Sequence, residues 1–420
     1  MIDILQDLEF RELIFQATGE EELRKRLQSG PISLYIGFDP TADSLHIGSL
    51  LPILGLRRFQ LAGHHPIALA GGGTGLIGDP SGKTVERGLN PEELVEEWTG
   101  KIRQQLEQFL DFDAPGNPAR MANNYDWLGN NEIIKFLRDI GRYFPVNYML
   151  SKESVKARLA DGLTFTEFSY MILQAYDFLQ LYRNYGCEMQ SGGSDQWGNI
   201  TAGIDLIRRV DNNKAYGLTF PLVTKSDGAK FGKTESGTVW LDAKKTSPYQ
   251  FYQFWVNTDD SDVIRFLKYF TFLTRDEILN LDEEVQRNPG KREAQRVLAK
   301  DVTTLVHGAR AMDKVEKISQ ALFYGKIREL AEDEIEAGLA DVPTVSLPIG
   351  QETGMVDLLI AAGASSSKRQ AREDLNNRAI SLNGEVLTDP QRSLAPEDRL
   401  FNKFTIIRRG KKNYFLVIWK

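Results

Sequence analysis

The stretch Leu34-Tyr-Ile-Gly-Phe-Asp-Pro-Thr-Ala-Asp-Ser-Leu-His-Ile-Gly-Ser49 decides the fold. Its first part, residues 33–37, is a short apolar run, which predicts a buried strand. The pair Asp39-Pro40 interrupts this run as Asp-Pro pairs do in turns. Apolar residues at helical spacing then predict a helix over 45–61. The stretch therefore predicts a strand that passes through a polar loop into a helix.

The loop between this strand and this helix has the features of a phosphate site. A helix N-terminus carries free N–H donors and a partial positive charge, which attract phosphate. His46 and Gly48 stand at this N-terminus. Gly48 has no side chain, so a base or a ribose can lie against its backbone. Three residues are a weak motif, and an ordinary strand-turn-helix with a capping loop is the alternative.

Composition and charge describe an ordinary globular chain with a basic end. The 420 residues are 41% hydrophobic and 26% charged, with a net charge of −7. This composition is typical of soluble globular proteins, and the net charge excludes a generic polyanion binder. Residues 353–420, however, carry 12 Lys and Arg against 7 Asp and Glu. A basic end on an acidic body indicates a local anionic partner, and nucleic acid is the obvious one.

The chain's cysteine content and first residues predict a cytoplasmic location. Cys187 is the only cysteine, so neither a disulfide nor a cysteine-based zinc site can form within one chain. The first residues are acidic and lack the pattern of a signal peptide. We expect a reducing compartment, no membrane span and no protein-bound metal.

The order of segments predicts an α/β protein. A second apolar run over 66–70 follows the first helix, and strand, helix and strand at this spacing form a right-handed parallel unit. The remaining expectations, in chain order, are a helix over 3–28, a helix over 91–112, a mixed insertion over 117–160, a helix from Thr164 to Tyr185, strands over 187–190 and 218–223, helices over 246–325, a linker over 331–350, and helices over 355–363 and 367–376 followed by strands over 379–382, 404–408 and 414–418.

Two glycine-containing segments suggest other nucleotide-binding proteins. The segment Gly73-Thr-Gly-Leu-Ile-Gly78 matches the dinucleotide fingerprint after a strand. That fingerprint requires a further strand with an acidic end about 20 residues on, and one long helix is expected there instead. The segment Ser81-Gly-Lys-Thr84 resembles the end of a P-loop, but Ile77 stands where the first glycine is required. A dinucleotide-dependent oxidoreductase is therefore a remote alternative.

Three further segments predict a polar ligand site. Tyr170, Gln174 and Asp177 share one face of a helix that is otherwise apolar, so they line a pocket or an internal polar network. The loop from Gln190 to Gln196 joins a strand to a helix, and its Asp195 suits a ribose. Lys225, Lys230 and Lys233 among glycines form a basic loop, suited to a polyphosphate that is held transiently. A solvated surface loop is the alternative for the lysines.

Together these segments resemble the class I aminoacyl-tRNA synthetases, and the tyrosyl-tRNA synthetase family in particular. His46-Ile-Gly48 and Lys230-Phe-Gly-Lys-Thr234 are similar to the HIGH and KMSKS signatures of the class. The resemblance to the bacterial tyrosine enzymes covers essentially the whole chain, and its more specific segments are Tyr35-Ile-Gly-Phe-Asp-Pro-Thr-Ala-Asp-Ser-Leu-His46, Thr74-Gly-Leu-Ile-Gly-Asp-Pro-Ser81, Phe165-Thr-Glu-Phe-Ser-Tyr170, Gly192-Gly-Ser-Asp-Gln-Trp-Gly-Asn199, Lys245-Thr-Ser-Pro-Tyr249 and Ser367-Lys-Arg-Gln-Ala-Arg-Glu-Asp374.

The resemblance implies a domain order and a set of partners. It implies a Rossmann-type parallel-sheet catalytic domain over 1–222, with its helical insertion at 117–160 as the homodimer interface. A KMSKS-type loop and an α-helical, anticodon-contacting domain over 223–330 follow. After the linker comes a small α+β, S-four-like RNA-binding domain over 351–420. The implied substrates are L-tyrosine, ATP with Mg²⁺, and tRNA(Tyr), and the implied products of the first step are tyrosyl-adenylate and pyrophosphate.

The resemblance also implies a role for each site residue. Those implied to bind tyrosine are Tyr35, Asp79, Tyr170, Gln174, Asp177 and Gln190. Those implied to bind ATP or the adenylate are Gly37, Asp39, His46, Gly48, Ser49, Gly193, Asp195, Gln196 and Lys233. Those implied to act on the departing phosphates are Thr41, His46, Lys83, Arg87, Lys230, Lys233 and Thr234. Those implied to contact tRNA are Lys368, Arg369, Arg372, Arg408, Arg409, Lys411 and Lys412.

One position departs from the family pattern. Ser49 occupies the fourth place of the HIGH signature, where the family usually has His or Asn. A short hydroxyl reaches less far than an imidazole, which predicts slower adenylate formation. A non-catalytic RNA-binding relative is the alternative that this departure leaves open, and tyrosine-dependent exchange of pyrophosphate into ATP separates the two.

Overall fold

The computed structural model describes residues 3–81, 88–159, 162–226, 228, 231–234, 237–340, 342–349, 353–410 and 413–420. Its strands are β1 (Gln16–Ala17), β2 (Ser33–Phe38), β3 (His65–Ala70), β4 (Arg120–Asn123), β5 (Cys187–Gly193), β6 (Tyr216–Phe220), β7 (Lys233–Thr234), β8 (Gly237–Thr238), β9 (Thr344–Leu347), β10 (Ile380–Leu382), β11 (Glu385–Leu387), β12 (Phe404–Arg409) and β13 (Asn413–Trp419).

The helices follow the same order. They are α1 (Ile4–Phe10), α2 (Glu20–Gln28), α3 (Leu50–Leu61), α4 (Glu92–Leu106), α5 (Tyr125–Leu128), α6 (Ile133–Asp139), α7 (Val146–Leu150), α8 (Glu153–Leu159), α9 (Phe165–Tyr185), α10 (Trp197–Asp211), α11 (Pro248–Val256), α12 (Asp260–Phe270), α13 (Arg275–Arg287), α14 (Glu293–His307), α15 (Ala309–Tyr324), α16 (Glu332–Gly338), α17 (Met355–Ala361) and α18 (Lys368–Asn376). Among the helices of the described ranges, none combines the length and the apolar character that crossing a bilayer requires.

The chain divides into two compact units. The first comprises residues 1–245 and 258–298, and the second comprises 246–257 and 299–420. These boundaries differ from those expected at 222, 330 and 350. The stretch 331–350, expected as a linker, contains α16 and β9, and β9 pairs in parallel with β13. Ile335 and Leu339 are buried, so this stretch is part of the second unit's core.

The first unit contains a six-stranded sheet in the order β1-β6-β5-β2-β3-β4. All its pairs are parallel except that of the edge strand β1, which runs antiparallel to β6. The expected α/β parallel architecture is therefore confirmed. Two short strands of this six-stranded sheet were not expected: β1 interrupts the helix predicted over 3–28, and β4 lies in the insertion.

The strand order reverses between β2 and β5. From β2 the chain proceeds outward through β3 and β4, whereas β5 and β6 extend the sheet in the opposite direction. Tyr35 pairs with Ile67 on one side and with Gln190 on the other. In open parallel sheets, ligands bind at the carboxyl ends of the strands where the order reverses. This Rossmann-type topology places a candidate site beside Tyr35 and Gln190.

Helix α9 confirms the prediction for the stretch that begins at Thr164. The Thr164 side chain caps the helix by accepting from the Glu167 N–H, and Gly186 ends it in the left-handed region at φ 63°. Its apolar face lies in a core that also includes Tyr35 and side chains of the insertion. The polar stripe of α9 is thereby fixed beside the carboxyl ends of β2 and β5.

The second unit contains a five-stranded sheet in the order β11-β10-β12-β13-β9. One of its apolar cores joins α17 and α18 to this sheet. Another joins α15 and α16 to Phe404, Ile406 and Leu416. The helices expected near 355–363 and 367–376 and the three expected strands are present. Helix α15 therefore packs against the sheet that follows it in sequence.

Candidate active site

A cavity of about 330 Å³ opens where the order of the parallel strands reverses. This volume lies at the lower end of the range for small-molecule sites. The cavity brings together residues that the sequence placed in one site, and the predicted residues that line it are Tyr35, Gly37, Asp39, Thr41, His46, Gly48, Ser49, Asp79, Tyr170, Gln174, Asp177, Gln190, Gly193, Asp195 and Gln196.

The residues predicted to hold the departing phosphates are less completely described. Lys83, Arg87 and Lys230 lie outside the described residues. For Lys233 and Thr234 the structure describes the backbone, which forms β7, and not the side chains. Their roles stay predictions from the sequence.

Asp177 lies at the closed end of the cavity and is held by two donors. The Asn124 Nδ2 donates to Oδ2 at 3.0 Å, and the Trp127 Nε1 donates to Oδ1 at 2.7 Å. Burial raises the pKa of Asp177 to about 8, against the lowering effect of these two hydrogen bonds. Neither donor was among the site residues predicted from the sequence. The sequence signal for them was the polar pair Asn123-Asn124, which begins at the last residue of β4. This strand is too short and too polar to be predicted from its pattern.

Tyr35 presents a buried hydroxyl at the same end of the cavity. The residue is 1% exposed, and its ring packs 5.4 Å from that of Phe178. Among the described residues its hydroxyl has no hydrogen-bond partner. Burial, and then the charge of Asp177, raise the pKa of Tyr35 well above its ordinary value. A buried polar group without a partner is costly, so this hydroxyl suits a ligand group that completes its hydrogen bonding.

Asp39 anchors one wall of the cavity. It accepts from the Tyr170 hydroxyl at 2.6 Å and from the Thr74 hydroxyl at 2.7 Å. Thr74 in turn accepts from Asn124, the residue that also holds Asp177. One hydrogen-bond network therefore holds the carboxylates of Asp39 and Asp177 in place. The Tyr170 oxygen still has lone-pair capacity, so it can accept from an ammonium group.

Side-chain amides connect two further carboxylates in the cavity wall. The Gln196 Nε2 donates to Asp79 at 2.7 Å and to Asp195 at 3.2 Å. The Gln196 Oε1 accepts from Gln174 at 3.3 Å, and the Gln174 Oε1 accepts from Asn199 at 3.0 Å. The polar stripe of α9 is thus satisfied within the cavity wall. The carboxylates give this wall a negative character that suits cationic and hydroxyl groups of a ligand.

His46 caps the 3-10 turn Ile47–Ser49 at the mouth of the cavity. Its Nδ1 accepts from the Gly48 N–H at 3.0 Å, so the neutral ring carries its proton on Nε2. A Cβ on Gly48 would lie 2.8 Å from the His46 Cε1. The absence of a side chain at Gly48 therefore makes room for the His46 ring, and the contact of Gly48 with a ligand stays a prediction.

Two family models match the chain. One describes class I tRNA synthetases (W and Y) and matches residues 27–324. The other describes the tyrosine--tRNA ligase SYY-like C-terminal domain and matches residues 334–417. The chain belongs to the class I tyrosyl-tRNA synthetases. This membership excludes the dinucleotide-dependent oxidoreductase.

Relatives match this synthetase over its whole length. The tyrosine--tRNA ligase of Desulfitobacterium hafniense (strain DSM 10664 / DCB-2) is 61% identical over 419 residues, 99% of each chain. Tyrosine--tRNA ligase 1 of Bacillus subtilis (strain 168) is 59% identical over 422 residues, 100% of each chain. Among solved structures, a C-terminally truncated Aspergillus nidulans mitochondrial tyrosyl-tRNA synthetase is 31% identical, covers 77% of this chain and 95% of its own, and gives a TM-score of 0.70.

The raised pKa of Asp177 predicts that the synthetase loses stability as the pH rises. The folded protein favours the neutral carboxyl, whereas the unfolded chain ionises near pH 4. This contribution is complete below about pH 4 and is lost as the pH rises through the folded value of about 8. We expect Asp177→Asn to remove it, measured by urea unfolding between about pH 5 and about pH 8.5. An equal pH dependence in the variant would contradict the burial of an ionisable group here.

Proposed function

We propose that this synthetase activates L-tyrosine with ATP to form tyrosyl-adenylate and pyrophosphate, and then transfers the tyrosyl group to the 3′ end of tRNA(Tyr). The observation that carries the proposal is the pair Tyr35 and Asp177, which can form hydrogen bonds with a phenol at the closed end of the cavity. His46 lies at the mouth of the same cavity. A tyrosine side chain fits between an unpaired hydroxyl and a buried carboxyl. Its carboxylate then faces the nucleotide end of the cavity.

The tyrosine backbone would lie beside the hydrogen-bond networks of Asp39 and Gln196. We assign its ammonium group to Asp79, Tyr170 and Gln174, with Gln190 beside them on β5. The supporting facts are the hydrogen bonds that join Tyr170 to Asp39 and join Gln174 and Asp79 to Gln196, together with the negative charge of Asp79 and the nearby Asp39 and Asp195. A cation gains most where carboxylates are held in place before it arrives, because no reorganisation is then required.

The nucleotide would lie along the ends of β2 and β5. We assign the ribose to Asp195 and the rest of the adenylate to Gly37, Asp39, Gly48, Ser49, Gly193 and Gln196, with ATP entering as its Mg²⁺ complex. Thr41 and His46 would meet the phosphates, together with Lys83, Arg87, Lys230, Lys233 and Thr234. The tyrosine carboxylate is itself the nucleophile, so the protein contributes positioning and charge stabilisation at the α-phosphate.

The predicted tRNA-contacting cations differ in their surroundings. Lys368 pairs with Asp357 at 2.8 Å, and Arg409 pairs with Asp374 at 3.1 Å. Arg369 and Arg372 are exposed on α18 and form no ion pair among the described residues. Lys411 and Lys412 lie outside the described residues. We therefore propose Arg369 and Arg372 as the cations most available to RNA phosphates.

An exposed apolar surface supports the predicted homodimer. Ile133, Ile134 and Leu137 of α6 are 71%, 75% and 50% exposed, and Phe165 at the start of α9 is 77% exposed. Three exposed apolar residues of this size on one short helix of the insertion are typical of a protein interface. We propose that a second copy of the chain covers them. The cytoplasmic location expected from the sequence stays a prediction.

Tyrosine-dependent exchange of pyrophosphate into ATP tests the proposed activity, and Tyr35→Phe tests the proposed pocket. We expect exchange in the unaltered protein, and none would indicate a non-catalytic RNA-binding relative. In Tyr35→Phe the tyrosine affinity should fall about 10-fold, the effect of one buried hydrogen bond, while phenylalanine binding stays the same. Tyr182→Phe, on α9 outside the cavity, is the matched control. An unchanged ratio of tyrosine to phenylalanine affinities would remove Tyr35 from the pocket.

A further inference from the structure

Helix α12 holds the start of the lysine loop, which comprises residues 224–237. The Asp262 carboxylate, buried in the first turn of the helix, accepts from the Ser226 N–H at 3.0 and 3.2 Å and from its hydroxyl at 3.1 Å. Arg265, one turn further along, donates to the Thr224 carbonyl at 2.7 Å and also pairs with Asp262. Because hydrogen bonds to charged groups are stronger than neutral ones, this ion pair fixes the first residues of the loop.

The same helix holds the lysine loop a second time, at Phe231. The Phe231 ring stacks on that of Phe270, with centroids 5.4 Å apart and an angle of 11° between the planes. It also meets the Phe266 ring edge to face at 5.2 Å. Phe266 and Phe270 are both buried, so the ring is attached to the core of the first unit. In the sequence, Lys230 lies between the two attachments and Lys233 follows the second by two residues.

Gly232 places the lysine loop against the turn Ile47–Ser49 at the mouth of the cavity. A Cβ on Gly232 would lie 2.6 Å from the Ile47 Cγ2, and the φ of Gly232 is 79°, a conformation that favours glycine. The Gly232 carbonyl accepts from the Val239 N–H at 3.0 Å, and the Val239 carbonyl accepts from the Ile47 N–H at 2.9 Å. The loop is therefore fixed relative to His46 as well as to α12.

Helix α12 is itself firmly held at its other end. The guanidinium groups of Arg58 and Arg11 both donate to the carbonyl of Thr271, the residue that ends the helix, at 2.5 and 3.2 Å. Both arginines are buried. Arg58 belongs to α3, the helix that begins directly after the turn Ile47–Ser49. The support of the lysine loop is thus connected to the helix that follows His46.

We infer that Asp262 is a positioning residue for adenylate formation, because it holds the lysine loop where Lys230 and Lys233 meet the departing pyrophosphate. The inference rests on the proposed function, which assigns these lysines to the phosphates. A donor lowers the barrier only where charge develops, and a displacement of about 1 Å can cost about 100-fold in rate. An acidic residue in a first turn also favours the helix dipole, but that role requires no contact with Ser226.

The first experiment compares Asp262→Asn with a matched variant. Asp262→Asn removes the charge that pairs with Arg265 and one of the two oxygens that accept from Ser226. We expect pre-steady-state adenylate formation to slow about 10- to 100-fold while the tyrosine affinity stays the same. Glu334→Gln is the control, because Glu334 is also a buried first-turn carboxylate that accepts from a backbone N–H and from Lys317. It should lower the urea midpoint similarly and leave the rate normal.

A multiple-mutant comparison shows whether Asp262 acts through the lysines. Lys230→Ala/Lys233→Ala should form adenylate slowly, and adding Asp262→Asn should slow it less than about 2-fold further, because the groups that Asp262 positions are gone. Effects that multiply in full would overturn the inference. Arg265→Met is a milder second variant, since it loses the contact with Thr224 and keeps Asp262; it should slow the rate less than Asp262→Asn does, and a normal rate in both variants would also overturn the inference.

Limited trypsin digestion tests the attachment of the loop without reference to activity. Cleavage after the lysines of residues 225–233 should be about 10-fold faster in Asp262→Asn than in the unaltered protein and in Glu334→Gln. Equal cleavage in all three proteins would overturn the inference, and so would a loss of tyrosine affinity as large as the loss of rate. Absence of pyrophosphate exchange in the unaltered protein would instead count against the proposed function, and the cleavage comparison would still decide whether Asp262 holds the loop.

Discussion

Replacing His46 by alanine should lower the rate of tyrosyl-adenylate formation about 100- to 1000-fold, with little change in tyrosine affinity. His46 is exposed at the mouth of the cavity, and because its Nδ1 accepts from Gly48, its proton lies on Nε2. The proposed role of this N–H is donation to phosphate oxygens as charge moves toward pyrophosphate. A donor that acts on the transition state affects the rate and leaves ground-state binding unchanged. Pre-steady-state adenylate formation and equilibrium tyrosine binding give the two quantities.

A second substitution separates this role from the capping role. The His46 side chain also caps the turn Ile47–Ser49, and loss of a cap costs about 1 kcal/mol of stability. Asparagine is a good capping residue, so His46→Asn should recover stability and remain slow in adenylate formation. A normal rate in His46→Asn would mean that the histidine acts only as a cap. Ser49, whose N–H donates to the His46 carbonyl at 2.8 Å, lines the same cavity, and its effect on the rate stays a prediction.

Replacing Arg158 by methionine should lower the free energy of unfolding by about 3–5 kcal/mol. Arg158 of α8 and Glu167 of α9 form a two-fold hydrogen-bonded ion pair at 3.1 and 3.0 Å. Their side chains are 2% and 4% exposed. The substitution leaves a buried carboxylate without its cation, and the cost of that charge gives the large effect. Urea unfolding at neutral pH measures it.

The chain offers a matched control on the same helix. Lys156 pairs with Glu153 at 2.9 Å, but these side chains are 52% and 90% exposed. Lys156→Met should therefore cost less than about 1 kcal/mol. The double variant Arg158→Met/Glu167→Met should recover most of the loss, because it removes both buried charges. If Arg158→Met costs no more than Lys156→Met, the pair is open to solvent in solution.

This ion pair bears on function through α9. Glu167 lies in the first turn of the helix that carries Tyr170, Gln174 and Asp177. A displaced first turn would shift Tyr170 relative to Asp39, which its hydroxyl reaches at 2.6 Å. Tyrosine binding in Arg158→Met reports on that shift.

Much of the fold followed from local patterns. The turn at Asp39-Pro40, the helix cap at Thr164 and the helix end at Gly186 each depend on residues within a few positions of one another. They can therefore be predicted directly from the sequence. The predictions of one helix over 3–28 and of a linker over 331–350 differ from the structure for a related reason. A two-residue strand such as β1, or an edge strand such as β9, acquires its conformation from a partner far away in the chain.

The features of the site also divide into those that follow from local sequence and those that depend on contacts between distant residues. The sequence by itself determined which segments end at the cavity, since motif residues at the ends of predicted parallel strands must meet at one edge of the sheet. Only the tertiary structure decided that Asn124 and Trp127 hold Asp177, that Gly48 makes room for His46, and that Asp262 holds Ser226. The hydrogen bonds to Asp177 join residues about 50 positions apart, and such contacts depend on how the elements pack and not on the pattern within any one of them.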